Sequence, residues 1–175
     1  MEDSGDLATW VIEPLRKDHD RAEFTCGKEA LDLYLRNQAS QDARRRVAAP
    51  FVLVRVPGST DVLGYYTLSA FAIDLGDLPE VVARRLPHCP SIPATLLGRL
   101  GLDRRHRGQG LGEALLMDAL YRSLVQSAEI AAAAVVVDAI DNEAWRFYRH
   151  FNFMPFPERR DRLLLPMRTV RALFK

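Results

Sequence analysis

The stretch Arg105-His106-Arg107-Gly108-Gln109-Gly110-Leu111-Gly112 constrains this chain more than any other, because it joins an apolar run to an amphipathic one. Ala94 to Asp103 reads as a buried strand, and Leu111, Leu115, Leu116, Ala119, Leu120 and Leu124 recur at helical spacing. The glycines therefore fall at a strand-to-helix junction. Residues without a Cβ let the backbone approach an anion, the first amides of a helix lack intrahelical partners, and the aligned peptide dipoles add partial positive charge. A pyrophosphate fits such a junction.

Two familiar phosphate loops do not match. A nucleoside triphosphate loop needs a Lys and then Ser or Thr, whereas Gly112 is followed by Glu113 and Ala114. A dinucleotide loop needs three glycines at wider spacing near the start of a βαβ unit, and this one lies past mid-chain. An ordinary glycine-rich helix start with no ligand is the remaining reading of the loop alone.

The rest of the chain alternates strand and helix patterns. Leu7 to Glu13 predicts a first strand closed by Pro14, and Phe24-Thr25-Cys26-Gly27 a turn. A helix follows with Leu31, Tyr34, Leu35 and Ala39 on its apolar face, ending near Arg44 to Arg46. Phe51–Val56 and Val62–Ala70, separated by Pro57-Gly58-Ser59-Thr60-Asp61, predict an antiparallel hairpin. Leu78–Leu86 predicts a short helix with Pro79 in its first turn, after which Pro87, Pro90 and Pro93 forbid regular structure. Ile130–Val137 predicts a strand, Asn142–His150 a short helix, and Leu163-Leu164-Leu165 a final strand. This order gives an α/β (α+β) fold with one mixed sheet.

With 175 residues and 48% hydrophobic content, residues 1–175 are expected to form one domain. No apolar run reaches the roughly 20 residues of a membrane span, and the start is acidic, which together predict a cytoplasmic protein with no membrane contact. Cys26 and Cys89 are too few for a disulfide framework, and His88-Cys89 has no second ligand pair, so free thiols and no metal are expected. Residues 1–43 carry 5 basic and 10 acidic groups and the remainder 19 and 13, leaving a positive body. Arg outnumbers Lys by 21 to 3, with clusters at Arg44-Arg45-Arg46, Arg84-Arg85, Arg104-Arg105-Arg107 and Arg159-Arg160-Arg162. Guanidinium groups suit phosphate; genomic base composition and helix C-terminal placement explain the same clusters without a ligand.

The spacing Arg105-x-x-Gly108-x-Gly110 resembles the pyrophosphate-binding motif of the GNAT superfamily of acetyltransferases. That resemblance implies the GNAT fold: a single mixed sheet of about six to seven strands flanked by helices, with splayed central strands forming an acetyl-CoA cleft. Leu100, Gly101 and Leu102 would offer main-chain contacts to pantetheine, and Arg105, Arg107, Gly108, Gln109, Gly110, Leu111 and Gly112 would form the cofactor loop. Asn142 would either touch pantetheine or cap its helix, the cap being favoured. GNAT enzymes often place a tyrosine at the position of Tyr148, whose hydroxyl would protonate the CoA sulfur. Ala144, Phe147, Tyr148 and Phe151 also share one helical face, so an apolar packing role for Tyr148 stands beside the catalytic one. No side chain announces itself as the base, and a water would serve.

Four further blocks look like those of the GNAT toxins of bacterial type II toxin–antitoxin pairs: Phe24-Thr25-Cys26-Gly27 with Leu31-Asp32-x-Tyr34-Leu35; Gly64-Tyr65-Tyr66-Thr67-Leu68-Ser69; Leu96-Leu97-Gly98-Arg99-Leu100; and Phe147-Tyr148. The sequence departs in Gly101-Leu102, where Ala-Val is usual, and in His88-Cys89-Pro90, where an aromatic residue commonly precedes the proline. The resemblance implies acetylation of the α-amino group of aminoacyl-tRNA in the bacterial cytoplasm, blocking translation. It also implies neutralisation by a nearby-encoded ribbon-helix-helix antitoxin, DNA contact only through that antitoxin, and a homodimer. Arg44, Arg45, Arg46, Arg84, Arg85, Arg159 and Arg160 become the candidate tRNA surface. A small-amine or protein N-acetyltransferase is the alternative enzyme, and an acetyl-CoA-binding or antitoxin-docking module the noncatalytic one.

Overall fold

A computed structural model describes residues 9–175. Among the described residues seven strands form one mixed sheet: β1 (Val11–Pro14), β2 (Ala49–Val54), β3 (Gly64–Asp74), β4 (Ser91–Leu102), β5 (Ala134–Asp138), β6 (Met154–Pro155) and β7 (Arg162–Pro166). Their spatial order is β1-β2-β3-β4-β5-β7-β6. The helices are α1 (Glu29–Asn37), α2 (Ala39–Arg45), α3 (Glu80–Ala83), α4 (Leu111–Gln126), α5 (Asn142–His150) and α6 (Met167–Leu173). The mixed sheet expected from the sequence is present: β1 and β2 are antiparallel, β4 and β5 parallel, and β7 antiparallel to both β5 and β6. Continuous burial of Ala134–Val137 and Leu163–Leu165 suits strands covered on both faces, which is why these segments read as unbroken apolar runs.

Several boundaries differ from expectation. The strand foreseen from Leu7 begins at Val11, with Pro14 as its last residue; Leu7 and Ala8 lie outside the described residues. The single helix foreseen up to Arg44–Arg46 is two. Gln38 (φ −120°) ends α1 and opens α2, and Asp42 of α2 accepts hydrogen bonds from the Tyr34 hydroxyl (2.8 Å) and the Gln38 side-chain Nε2 (2.9 Å). The run from Ile130 becomes strand only at Ala134, because the Ile130 N–H is still bonded to the Gln126 carbonyl at the end of α4. The two-residue β6 and the C-terminal α6 lack a periodic pattern long enough to read in advance.

The chain groups into two compact units, one containing residues up to Tyr66 and Leu100–Leu115, the other Thr67–Arg99 and Leu116–Lys175. The first is built on Phe24, Tyr34, Leu35, Val52, Val54 and Tyr65, with Phe24 edge-on to Tyr65 (centroids 5.7 Å) and the Tyr65 hydroxyl donating to the Leu31 carbonyl at 2.7 Å. In this unit Gly64 is a close-approach glycine: a Cβ would lie 2.8 Å from Leu115 Cδ1 and 3.1 Å from the Gly101 carbonyl oxygen. The second unit is built on Ile73, Ile92, Ala94, Val136, Phe156 and Leu164.

Candidate active site

Strand β4 delivers the glycine loop. Its register with β5 covers Thr95–Leu97, while β4 itself runs to Leu102, so Leu100, Gly101 and Leu102 extend past the β5 pairing. Gly101 is buried, and a methyl there would meet Tyr65 at 3.4 Å, an ordinary contact, so an Ala would also fit. Asp103 follows, with its N–H donating to the Leu63 carbonyl at 2.7 Å, and caps a 3-10 turn over Arg104–His106. Its carboxylate has no exposed surface. Oδ1 accepts from the Arg105 amide (2.9 Å) and Arg105 Nε (2.9 Å), and Oδ2 from Arg105 Nη2 (2.9 Å) and the Thr25 amide (3.3 Å). Burial pushes the Asp103 carboxyl up, but the bonds from the Arg105 side chain and from the Arg105 and Thr25 amides outweigh it and bring the pKa down to about 2.

Beyond this turn, Gly108 (φ 79°) and Gly110 (φ 74°) occupy left-handed backbone that other residues rarely adopt, and a Cβ on either would face open space. Among the described residues, no hydrogen bond from the amides of Gly108 or Gly110 to another group of the protein is seen. Arg107, Gly108, Gln109 and Gly110 are exposed, Leu111 is buried and Gly112 half-buried at the start of α4. The cofactor-loop residues named from the sequence, from Leu100 to Gly112, are thus one contiguous strand, turn and helix start, with unpaired amides and room beside them. This is the geometry a diphosphate needs.

The side chains of the two loop arginines are turned to the protein. Arg105 is forked on Asp103, and Arg107 Nη2 donates to the Cys26 carbonyl at 2.8 Å. Asp103 and Asp32 are the site residues that sequence reasoning missed. The signal for Asp103 was local, an Asp two residues before an Arg at a strand end; its tie to Thr25, 78 positions away, leaves no periodic trace.

Tyr148 lies on α5 in the second unit. Helix α5 begins where the sequence predicts, yet its cap is Asp141, whose side chain accepts from the Ala144 amide at 2.9 Å; Asn142 is the first helical residue and is exposed. The favoured capping role for Asn142 is therefore corrected: the extended backbone one residue earlier lets Asp141, not Asn142, reach the third helical amide. The Tyr148 ring packs between Phe147 (5.3 Å) and Phe153 (5.4 Å), and the residue is 5% exposed. Among the described residues its hydroxyl makes no hydrogen bond, yet it is not sealed away from solvent as an unsatisfied polar atom. The ring serves the apolar face while the hydroxyl stays available. Burial, and secondarily the Asp138 carboxylate, push the phenol's pKa well above its usual value, so it remains a proton donor at neutral pH. Asp138 is held by Arg162 through two bonds of 2.7 and 3.0 Å, and Arg162 lies 4.8 Å over the Phe71 ring.

The basic clusters are exposed in both units. Arg44 and Arg45 close the last turn of α2 and Arg46 caps it in left-handed conformation (φ 58°). In the second unit Arg84 pairs with Glu80, Arg85 is exposed, Arg159 meets Asp161 at 3.3 Å, and the Arg160 carbonyl accepts the Trp145 indole N–H. Among the described residues no three His, Cys, Asp or Glu side chains are grouped to hold a metal ion, and no helix is long and apolar enough to cross a membrane. Cys26 is buried and Cys89 exposed, both as free thiols.

A sequence model of the acetyltransferase (GNAT) family matches residues 13–153. The chain belongs to this family. Among its GNAT relatives are a probable toxin TacT of Sinorhizobium fredii, 34% identical over 93% of this chain and 94% of that protein, and a tRNA-acetylating toxin of Mycobacterium tuberculosis, 36% identical over 88% and 90%. Among solved GNAT structures, AtaT complexed with acetyl-methionyl-tRNAfMet superposes with a TM-score of 0.87 at 30% identity, covering 95% of this chain and 99% of that one. A mutant AtaT toxin bound to the C-terminus of the antitoxin AtaR and acetyl-CoA gives 0.81 at 29% identity, over 95% and 98%. The likeness to GNAT toxins and the GNAT fold expected from the sequence agree with these relatives.

Proposed function

We propose that this GNAT protein transfers the acetyl group of acetyl-CoA to the α-amino group of an aminoacyl-tRNA, acting in the bacterial cytoplasm as a translation-blocking toxin. The observation that carries the proposal is the loop after β4, whose open glycines and unpaired amides have the chemistry of a diphosphate seat. The likeness to tRNA-acetylating relatives names the acceptor. Acetyl-CoA supplies an acyl group already activated as a thioester. The amides of Arg107 to Gly110 and the first turn of α4 bind the diphosphate, and the open edge of Leu100–Leu102 pairs with the pantetheine arm. As the amine forms its C–N bond and the C–S bond breaks, Tyr148 gives its proton to the departing sulfur, and the proton lost by the amine passes through water to restore the phenol. Asn142, exposed in the first turn of α5, is an available pantetheine contact. Residues 1–175 act as one catalytic domain.

Within the same proposal, Arg44–Arg46, Arg84, Arg85, Arg159 and Arg160 hold the tRNA backbone. A ribbon-helix-helix antitoxin restrains the protein and mediates any DNA contact, and the active form is a homodimer. The deciding experiment incubates total charged tRNA with the protein and labelled acetyl-CoA, then identifies acetylated aminoacyl-adenosine by mass spectrometry. Acetylated product on at least one charged tRNA is expected. Its absence across all amino acids, with label moving to peptides or small amines instead, would overturn the proposal in favour of another acceptor.

A further inference from the structure

The blocks Phe24-Thr25-Cys26-Gly27 and Leu31-Asp32-x-Tyr34-Leu35 have no role in the chemistry just described, yet they sit against the glycine loop. Thr25 is bound on both sides of its peptide: its N–H donates to Asp103 Oδ2 (3.3 Å) and its carbonyl accepts from the Arg104 amide (3.0 Å). From the other side Asp32, itself buried, accepts from the Cys26 amide (2.9 Å) and the Thr25 hydroxyl (3.3 Å). Arg107 then crosses to the Cys26 carbonyl (2.8 Å) over Gly27, where left-handed backbone (φ 86°) favours glycine and the site of a Cβ lies 3.6 Å from the guanidinium. Arg105 Nη2 also reaches the Glu23 carbonyl at 3.4 Å. Two buried carboxylates thus clamp one short segment, to which Arg107 is fastened directly and Arg105 through Asp103.

We infer that Thr25-Cys26-Gly27, clamped by Asp32 and Asp103, is the seat that sets the shape of the diphosphate loop, and that Arg105 and Arg107 are positioning residues fastened to this seat rather than phosphate ligands. The inference rests on the acetyl-CoA reading of the loop. The physical need is clear from the loop itself: two left-handed glycines with open space beside them have no packing to choose one conformation, and amides bind an anion tightly only when they are already aimed. Fixing the residues just before the first glycine removes that freedom. The arrangement also assigns a purpose to a sequence block far from the loop in the chain.

The test compares acetyl-CoA with acetyl-pantetheine, which carries the same thioester without the diphosphate, for the wild type, Asp103→Asn, Arg105→Gln, the double variant and Arg107→Leu. Binding is read by calorimetry, and exchange of the Thr25, Arg104 and His106 amides is read in the ligand-free protein. Each single change should raise the acetyl-CoA Kd and KM roughly 10-fold, as the loss of one charge-assisted bond to a buried group would, with kcat within about 2-fold and acetyl-pantetheine KM unmoved. The double variant should be no worse than the weaker single, because both remove one fork, and amide exchange should rise before any ligand is added. Additive losses in the double variant, with exchange unchanged in Arg105→Gln, would make Arg105 a direct phosphate ligand and overturn the inference. Equal losses with both donors would also overturn it, reducing the seat to general stability. Arg107→Leu alters an exposed side chain and keeps the test decisive if Asp103→Asn fails to fold. A wild type that binds no acetyl-CoA while its amide exchange shows an intact seat would remove the acetyl-CoA reading, and the inference with it; binding with unaffected variants would remove the inference alone.

Discussion

In the turn that follows β4, Arg105 closes a fork on Asp103, an acid with no exposed side-chain surface, while 58% of the arginine side chain faces solvent. At the first residue of β7, Arg162 closes a similar fork on Asp138, the last residue of β5, but here the acid is 34% exposed and the two residues are also register partners. The compositions are alike and the uses differ. The first fork anchors the loop proposed above to hold the diphosphate, and its energy is set by a buried carboxylate that satisfies two backbone amides. The second joins two strands already held by ladder bonds and stands beside the phenol of Tyr148 as a source of field. An arginine-rich turn is therefore defined by where its acid sits, not by how many arginines it holds.

The sharpest way to separate the two regions is kinetic. Tyr148→Phe should lower kcat by about 100-fold or more, as expected when a general acid is lost, and leave the acetyl-CoA Kd nearly unchanged. Steady-state rates with calorimetric affinity check this, and unchanged turnover would remove the phenol from the chemistry. Stability should divide the forks next. Asp103→Ala strands the Thr25 and Arg105 amides and is expected to cost about 3 kcal/mol, against about 1 kcal/mol for Asp138→Ala, read as shifts in urea midpoint at pH 7. Equal costs would erase the distinction.

Acid should sharpen the same contrast. Because the Asp103 pKa falls from 3.8 to about 2 in the folded protein, its contribution is complete above about pH 4 and is lost as pH falls from there through about 2. Urea titrations between pH 5 and 2 should therefore show the gap between wild type and Asp103→Asn narrowing as pH falls; a constant gap would refute it. A smaller effect is expected on the surface. Replacing Arg44, Arg45 and Arg46 by Ser should raise the KM for charged tRNA several-fold and flatten its salt dependence by up to about one unit of slope per lost phosphate contact, with acetyl-CoA affinity unchanged. The smallest effect concerns the thiols. Cys89 should alkylate readily at pH 8, whereas Cys26, with its thiol pushed up to about 11 first by burial and then by the neighbouring Asp32, should resist, as mass spectrometry of iodoacetamide-treated protein would show.

Strong local signals made much of this fold legible. Helix α5 begins and ends where the sequence predicts, and the glycine turn and the helix after it follow from glycine placement and periodicity, whereas β4 begins at Ser91 and runs through Pro93, a segment expected to be irregular because of its prolines. What could not be read was set by contacts distant in the chain or by competition between adjacent residues. The bend at Gln38 is held by the Tyr34 hydroxyl, invisible in a pattern that continues smoothly through Ala39. Asp141 and Asn142 are both good caps, and only the backbone conformation chose between them. The glycine loop announced itself, but its supports at Thr25, Asp32 and Asp103 did not, because polar residues that hold a site in place carry no periodic signature.

Gly64 opens a block that looked like ordinary strand material, yet its missing side chain is what allows β3 to lie against the Gly101 carbonyl and the first turns of α4. A single methyl group there would press on Leu115 of α4 and on the Gly101 carbonyl, and under the proposed function that strain reaches the loop between them. A variant disabled in this way would keep every reacting group and every charged surface intact, so inspection of the chemistry alone would pronounce it competent.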